Sequence, residues 1–267
     1  MVEFLINNPG LWDQIYQGYT FHALDDLGFS GTESSRVEIR EHPRVLRDLK
    51  TVVEDFWGKY TEENPGAWND PKYMVRGLSD VTKDNSTIVI RPFLVDYALI
   101  VFASPRRGTE YEHFLTGDQK AFLNSLKELG MDAYARGAKG YLFGDKVGGL
   151  TAKLRELVPM GMVDVSSPEE NDVFTKTLRR ELQEETTLDL DRDVADVRLT
   201  HFIVNSFYGE FDVLYRLTLN PSSEDRMRTS SEHTMLQFMS EEEIRSTPLH
   251  LINPCSAAIL KQLGILY

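Results

Sequence analysis

The chain has 267 residues, of which 41% are hydrophobic, and a formal net charge of −13. This length suits one large domain or two smaller ones, and the apolar fraction is enough for a core. The negative charge argues against binding to nucleic acid or to an anionic membrane, since both need basic patches. Cys255 is the only cysteine, so an internal disulfide cannot form. Together with an N-terminus unlike a secretory signal, this predicts a cytoplasmic protein.

The first half of the chain predicts a mixture of helices and strands. Apolar residues at helical spacing predict a helix over 43–59, and two turn-rich segments follow it. β-Branched and aromatic residues predict strands over 87–91 and 97–104. Another helix is predicted over 118–129, before a glycine of the kind that ends helices. We therefore expect residues 1–130 to form an N-terminal α+β lobe.

The second half predicts strands on both sides of one long helix. Phe174, Leu178 and Leu182 recur at i, i+4 and i+8, which predicts a helix with one apolar stripe. Strands are predicted over 131–136, 141–143, 157–163, 197–206, 211–219 and 234–238. A closing helix is predicted over 256–263. This order of elements indicates the α/β class.

The segment Arg180–Leu188 contains the most informative residues of the chain. At about 100° per residue, Glu181, Glu184 and Glu185 fall on one patch of a helix. Like charges at i, i+4 spacing destabilise a helix, and a divalent cation with oxygen ligands would offset that repulsion. The alternative is a solvated acidic face, which is common in a chain this acidic.

This segment resembles the second half of the Nudix hydrolase signature, Gly-x5-Glu-x7-Arg-Glu-(apolar)-x-Glu-Glu-x-Gly-(apolar). Arg180, Glu181, Glu184 and Glu185 stand in the order of the family, and Thr187 stands where the family has its last Gly. The resemblance therefore covers the metal-binding half of the signature.

Two registers are open for the first half of the signature. Direct spacing puts Ser166 and Asp172 in the Gly and Glu positions. In the other register, Pro159–Asp164 resembles the strand and Gly loop of the family, with Gly161 as its Gly. That register requires five extra residues before Arg180.

The resemblance implies an α/β fold, the Nudix α/β/α sandwich with a mixed sheet, over residues 131–267. It implies that Glu181, Glu184 and Glu185 bind Mg²⁺ or Mn²⁺, and that Glu181 or Glu184 orients or deprotonates the attacking water. Arg180 would hold one of these carboxylates. The implied activity is metal-dependent hydrolysis of a nucleoside diphosphate linked to another group.

A further acid after the catalytic helix is expected to complete the site. Glu232, just before a predicted strand, is the candidate for a fourth metal ligand or the general base, and a surface acid is the alternative. Asp164, beside the Gly161 loop, is a candidate for contact with the metal or its water shell. Its alternative role is to balance a helix dipole.

Four other residues are candidates for substrate binding. Lys146 or Arg155 would reach the leaving phosphate, and each has the alternative of a solvated surface cation. Phe207 and Tyr208 would stack on a base, and their alternative is packing at the end of a strand.

A weaker resemblance links the chain to the Nudix enzymes that cleave UDP-glucose and UDP-galactose. It is carried by scattered residues of 56–73, Asp96-Tyr97, 129–131 and the insertion before Phe174. It implies a nucleotide sugar as substrate, with UMP and a sugar 1-phosphate as products. The alternatives are ADP-ribose or another dinucleotide, a non-canonical nucleoside triphosphate, and a domain that senses a nucleotide sugar without cleaving it. We expect the lobe of 1–130 to shape the substrate pocket or a homodimer interface.

Overall fold

The computed structural model describes residues 14–103, 115–147, 153–163, 165 and 172–267. The strands bounded within these ranges are β1 (Tyr19–Ala23), β2 (Ser34–Val37), β3 (Pro71–Val75), β4 (Val81–Asp84), β5 (Thr87–Ile90), β6 (Phe93–Asp96), β7 (Lys127–Gly137), β8 (Gly140–Lys146), β9 (Arg155–Leu157), β10 (Met160–Met162), β11 (Val194–Asn205), β12 (Glu210–Leu219) and β13 (His233–Met239). The α-helices are α1 (Arg44–Glu63), α2 (Tyr97–Ala103), α3 (Gly117–Ser125), α4 (Val173–Thr186), α5 (Leu190–Asp193), α6 (Glu241–Ser246) and α7 (Pro254–Gln262). Among the described helices, none is long and apolar enough to cross a membrane.

The main sheet is mixed and draws strands from both halves of the chain. Its path is β1-β11-β12-β7-β3-β6, in which β12 and β7 are parallel and the other neighbours are antiparallel. Strand β10 pairs with β7, and β8 pairs with β7, β9 and β13. A smaller sheet has the order β2-β5-β4. The predicted α/β class with a mixed sheet is confirmed.

Strands from before and after residue 130 share hydrogen bonds in this sheet. β1 pairs with β11, and β3 pairs with β7. The expected boundary at residue 130 lies inside β7. The division into a lobe of 1–130 and a Nudix domain of 131–267 stays a prediction.

Alternation along β7 separates two apolar cores on the two faces of the sheet. Met131, Ala133 and Ala135 belong to the core that contains the buried apolar stripe of α4. Tyr134 belongs to the core that contains the apolar residues of α7. Side chains on a strand alternate between faces, so the even-numbered residues of β7 point towards α7. This places Asp132 on the α7 face.

Two predicted elements of the first half differ from the structure. Residues 97–104 were expected as a strand, but Tyr97–Ala103 form helix α2, whose Ala98 amide donates a hydrogen bond of 2.6 Å to the Asn69 side chain. A short apolar run does not distinguish a strand from a buried helix. The helix expected over 118–129 ends at Ser125, because the residues after it enter β7.

Candidate functional site

Helix α4 presents two buried glutamates and one half-exposed glutamate. Its apolar stripe packs on the sheet, which turns Glu181 and Glu185 inward, while the side chain of Glu184 is 51% exposed. The helix ends at Thr187, which has a φ of +64°. This left-handed conformation favours glycine, so Thr187 takes the backbone conformation typical of the glycine it replaces in the signature.

Arg180 joins two of the three glutamates. Its Nη2 donates a hydrogen bond of 2.7 Å to Glu181 Oε1, and its Nη1 donates one of 2.7 Å to Glu184 Oε2. Nη2 also donates to the carbonyl of Met162 at 3.4 Å, which links the helix to β10. The guanidinium therefore supplies positive charge to Glu181 and Glu184 and fixes their side chains.

Gly161 lies directly against the Glu181 carboxylate. A Cβ built at residue 161 would overlap the Glu181 side chain, so only glycine leaves room for it. Strand β10 is held in place by its pairing with β7, where Gly161 is opposite Met131. The sheet thus sets the position of the Glu181 carboxylate.

Glu185 is fully buried. Its Oε2 accepts a hydrogen bond of 3.2 Å from the Met160 amide, and its Oε1 has no hydrogen-bond partner among the described residues. One carboxylate oxygen of Glu185, one of Glu156 and a ring nitrogen of His233 all lie within 4.8 Å of one another. Glu181 and Glu184 do not belong to this cluster.

Glu156 is the centre of a buried polar network beside Glu185. Its Oε1 accepts bonds from Lys146 Nζ at 2.9 Å and from His233 Nε2 at 3.1 Å, and its Oε2 accepts one of 2.9 Å from Asn253. Burial would raise the pKa of Glu156, but the bonds from His233 and Lys146 lower it below its ordinary value. Glu156 is therefore an ionised carboxylate with a full set of donors.

The two buried glutamates of α4 have raised pKa values. Burial raises the pKa of Glu181 to about 7, with Arg180 opposing the shift and Glu232 and Glu184 adding to it. Burial also raises the pKa of Glu185 to about 9, and the charges of Glu156 and Glu181 add to that effect. Both shifts arise from desolvation and from repulsion between carboxylates, and a dication bound among them would counteract both causes.

These residues fit a hard divalent cation. The buried Oε1 of Glu185 is an oxygen ligand with no partner among the described residues, and Glu181 lies on the same side of α4. Mg²⁺ and Mn²⁺ take carboxylate oxygens of this kind. Glu181, Glu184 and Glu185 would hold the ion, with Arg180 positioning the first two.

Glu232 lies near the glutamates of α4. It precedes β13, its carbonyl accepts a hydrogen bond of 2.8 Å from the Val147 amide, and its charge raises the pKa values of Glu181 and Lys146. His233, the next residue, is buried and faces Glu156 rather than the surface. The structure thus brings Glu232 to the site, and its role as fourth ligand or general base stays a prediction.

The structure separates the two candidate cations. Lys146 lines a cavity of about 340 Å³ beside β10 and is bound to Glu156. Arg155 precedes Glu156 in β9, so its side chain points to the other face, where its Nε donates a hydrogen bond of 3.0 Å to Asp145. Arg155 is not among the residues that line the cavity.

The aromatic candidates lie at the turn between β11 and β12. Tyr208 lines the cavity, whereas the backbone and Cβ of Phe207 lie against Gly18, and the two rings meet edge to face at 5.0 Å between centroids. Asp164 and Ser166 lie outside the described residues. Asp172 accepts hydrogen bonds from Ser35 and Thr175, away from the glutamates of α4.

A set of acids that were not predicted from the sequence lines the same cavity. They are Glu128, Asp132, Glu156, Glu210 and Asp212. Four of them lie on the neighbouring parallel strands β7 and β12, where Glu128 is opposite Glu210 and Gly130 is opposite Asp212. Parallel strands buried on both faces are usually apolar throughout. Alternation of acidic and apolar residues in 128–132 and 210–212 was the signal that could have revealed them.

No protein-family model and no curated protein sequence matches this chain. Among solved structures, the Nudix domain of NrtR from Shewanella oneidensis, solved with ADP ribose, is 15% identical with a TM-score of 0.42 and covers 59% of this chain and 96% of its own. The MutT protein of Methanosarcina mazei Go1 is 18% identical with a TM-score of 0.36 and covers 51% of this chain and 90% of its own.

A bifunctional NMN adenylyltransferase/ADP ribose pyrophosphatase of Francisella tularensis is 12% identical with a TM-score of 0.39. The match covers 52% of this chain and 40% of that longer chain. Several of the similar structures are of Nudix proteins, the family that the Arg180–Leu188 segment resembles. At these identities and TM-scores the likeness alone assigns no activity, and the residues of this chain must carry any assignment.

Proposed function

We propose that this protein is a Nudix-type hydrolase that cleaves the phosphoric anhydride of a nucleoside diphosphate linked to another group, with Mg²⁺ or Mn²⁺. The observation that carries the proposal is the contact between Gly161 and the Glu181 carboxylate. This contact brings β10 next to α4, which supports the register in which Gly161 is the first glycine of the Nudix signature. Arg180 and the buried Glu185 complete the pattern.

Each residue of the site has its own role in the proposed reaction. When bound, the cation would neutralise charge on the phosphoryl oxygens, which is the main barrier in phosphoryl transfer. Glu181, Glu184 and Glu185 would be ligands, and Arg180 would keep Glu181 and Glu184 in position. Glu181, whose carboxylate lies against Gly161 and is held by Arg180, is the first candidate to accept a proton from the attacking water. Glu232 is the second candidate for that role.

Within this class we favour a nucleotide sugar such as UDP-glucose, cleaved to UMP and glucose 1-phosphate. The support is the resemblance carried by 56–73 and by the insertion before Phe174. ADP-ribose is the next candidate.

The test is product analysis with UDP-glucose and ADP-ribose at equal concentrations, each with Mg²⁺ and with EDTA. We expect turnover of one of them that EDTA abolishes and that Glu185→Gln reduces by about 100-fold or more. Asp191→Asn is the control, because Asp191 is an exposed acid that pairs with Arg179 near the same helix.

Wild-type rates in both Glu184→Gln and Glu185→Gln would show that the assigned site is wrong. Tight binding of one compound without turnover would instead identify a sensor of that nucleotide. If ADP-ribose is cleaved and UDP-glucose is not, the preference for a nucleotide sugar fails and the class of reaction stands.

A further inference from the structure

Strands β7 and β12 form one wall of the cavity beside the glutamates of α4, and we call this wall the floor of the cavity. On β7 and β12, the side chains that face the cavity are acids in register, with Gly130 between Glu128 and Asp132. A Cβ at Gly130 would overlap the Asp212 carboxylate, so this glycine makes room for the acid. Side chains at these central positions would normally be apolar and would pack against α7. Here they leave a cavity of about 340 Å³.

Asp212 is a buried carboxyl group without a partner. It is 6% exposed, it lines the cavity, and it makes no hydrogen bond to any described residue. Asp132 is equally buried and accepts a hydrogen bond of 3.0 Å from the Cys255 thiol at its Oδ2. A buried polar group without a partner is costly and rare in folded proteins. Asp212 is therefore free to form a hydrogen bond with a group that enters the cavity.

The charge of the floor excludes phosphate as the occupant. Five carboxyl groups line the cavity, and the cation that lines it, Lys146, is already bound to Glu156. An anion placed there would be repelled by the ionised Glu156 and by the fraction of Glu128 and Asp132 that is ionised near neutral pH, in a region of low dielectric. The phosphates of a substrate would therefore lie outside the floor, towards Gly161 and the glutamates of α4.

The protonation of the floor favours hydroxyl groups over the carbonyls of a pyrimidine base. Burial raises the pKa of Asp132 to about 7 and that of Asp212 well above its ordinary value, so the floor holds both carboxyl and carboxylate groups near neutral pH. A hydroxyl both donates and accepts, so it can pair with either form, whereas a carbonyl oxygen only accepts. Several hydroxyls on one small ring would satisfy several acids at once.

We infer that this cavity binds the sugar ring beyond the second phosphate of the substrate, through hydrogen bonds from its hydroxyls to Asp132 and Asp212. The inference rests on the proposed function, since it names which part of the nucleotide derivative enters the cavity. The volume is at the lower end of the range for small-molecule sites, which suits one sugar ring. The base would then lie outside the cavity.

The test measures dissociation constants by calorimetry in a Glu185→Gln background, so that substrate is not consumed. The probes are UDP-glucose and UDP, and ADP-ribose and ADP, each with Mg²⁺. Asp212→Leu should weaken binding of UDP-glucose or ADP-ribose by about 10-fold or more, because it removes the hydrogen-bonding group at similar volume. Binding of UDP and ADP should change by less than about 2-fold, because neither carries the second sugar.

Two variants control for effects on folding. Asp212→Asn keeps one donor and one acceptor and should hold the affinity for the sugar nucleotide within about 3-fold of the parent. Asp191→Leu makes the same change at an exposed acid and should leave all four constants unchanged. Thermal unfolding of each variant checks that the fold is intact.

Equal losses for UDP-glucose and UDP would place part of the nucleotide itself, its base, ribose or phosphates, in the cavity and overturn the inference. It is also overturned if Asp212→Leu changes no constant, or if the parent binds none of the four probes. The same holds if Asp212→Leu abolishes only the binding of Mn²⁺ or Zn²⁺, since the three groups of Asp132, Asp212 and Cys255 would then be a metal site. Binding that depends on Asp212 without any turnover would defeat the proposed hydrolysis and leave the sugar site standing.

Discussion

The Glu181 carboxylate occupies the space that a side chain at Gly161 would need. This relationship places β10 directly against the functional end of a side chain of α4. Arg180 reinforces this contact through its bonds to Glu181 and to the Met162 carbonyl. The position of the proposed base is thus set by the sheet and not only by the helix.

Gly161→Ala should cost activity more than stability. The added methyl would push the Glu181 carboxylate away from β10, and a misplacement of about 1 Å can lower a rate by about 100-fold. Overpacking in a well-filled region costs about 1–3 kcal/mol, so the fold should survive. Steady-state kinetics and urea unfolding measure the two effects.

Gly58→Ala is the matched control for this substitution. Gly58 lies within α1, and a Cβ built there meets no atom within 4 Å. Alanine in a helix interior is favoured over glycine by about 1 kcal/mol, so this variant should be slightly more stable and fully active. A Gly161→Ala enzyme with wild-type kcat would contradict the role given to the Gly161–Glu181 contact.

Arg180→Lys should lower turnover although it keeps the positive charge. One guanidinium donates to both Glu181 and Glu184 from separate nitrogens, each at 2.7 Å. An ammonium on a flexible stem lacks that planar fork. We expect a lower kcat and a higher requirement for Mg²⁺, measured by titrating the metal at saturating substrate. Arg179→Lys is the neighbouring control, since Arg179 pairs only with the exposed Asp191 among the described contacts.

Burial of Glu185 predicts that the metal-free protein loses stability as the pH rises. The pKa of this group is raised from 4.5 to about 9 by burial and by Glu156 and Glu181, so the folded state keeps a proton that the unfolded state releases. Between these values the folded state binds more protons, and the free energy of unfolding therefore falls with increasing pH. The fall for one group is at most about 1.4 kcal/mol per pH unit.

Chemical unfolding in EDTA at a series of pH values from about 5 to about 9 measures this dependence. Glu185→Gln should make it shallower, because an amide does not titrate whereas Glu181 and Asp132, whose pKa values burial raises to about 7, still do. Asp191→Asn should not flatten it, since its bond with Arg179 lowers the pKa of Asp191 and moves its transition to acid pH. Parallel curves for the wild type and Glu185→Gln would mean that Glu185 is ionised in the folded protein.

The sequence predicted the helix with the acids and the mixed sheet, because these depend on local spacing. The stripe of Phe174, Leu178 and Leu182 is buried as expected, and the strands around 197–206 and 211–219 form β11 and β12. Local spacing does not predict which residues of β9 have side chains that face the site. Arg155 was therefore an equal candidate with Lys146, although Glu156 is the residue of β9 that reaches the cavity.

The acids of the cavity were missed for a different reason. Glu128 was assigned to the end of a helix, and Asp212 to a strand with no known neighbours. Their meeting depends on the parallel pairing of β7 with β12, between segments about 80 residues apart in the chain. Such a long-range pairing is set by the packing of the whole sheet and not by either segment alone.

The last prediction concerns the ion pair of Lys146 with Glu156. Lys146→Met would leave the Glu156 carboxylate with donors from His233 and Asn253 but without its cation. Removing one partner of a buried pair leaves an uncompensated charge, and the remaining donors and the partial exposure of Lys146 should limit the loss to about 1–3 kcal/mol. Glu156→Gln in the same chain should recover part of that loss, because it removes the uncompensated charge.

Urea unfolding of the two single variants and the double variant gives the coupling energy directly. We expect the double variant to be more stable than Lys146→Met alone. We also expect Lys146→Met to bind Mg²⁺ more tightly than the wild type in the absence of substrate, because the charge of Lys146 lies near Glu185 and Glu232 as well as Glu156. Additive losses in the double variant would show that Lys146 is a solvated cation with no structural part in the site.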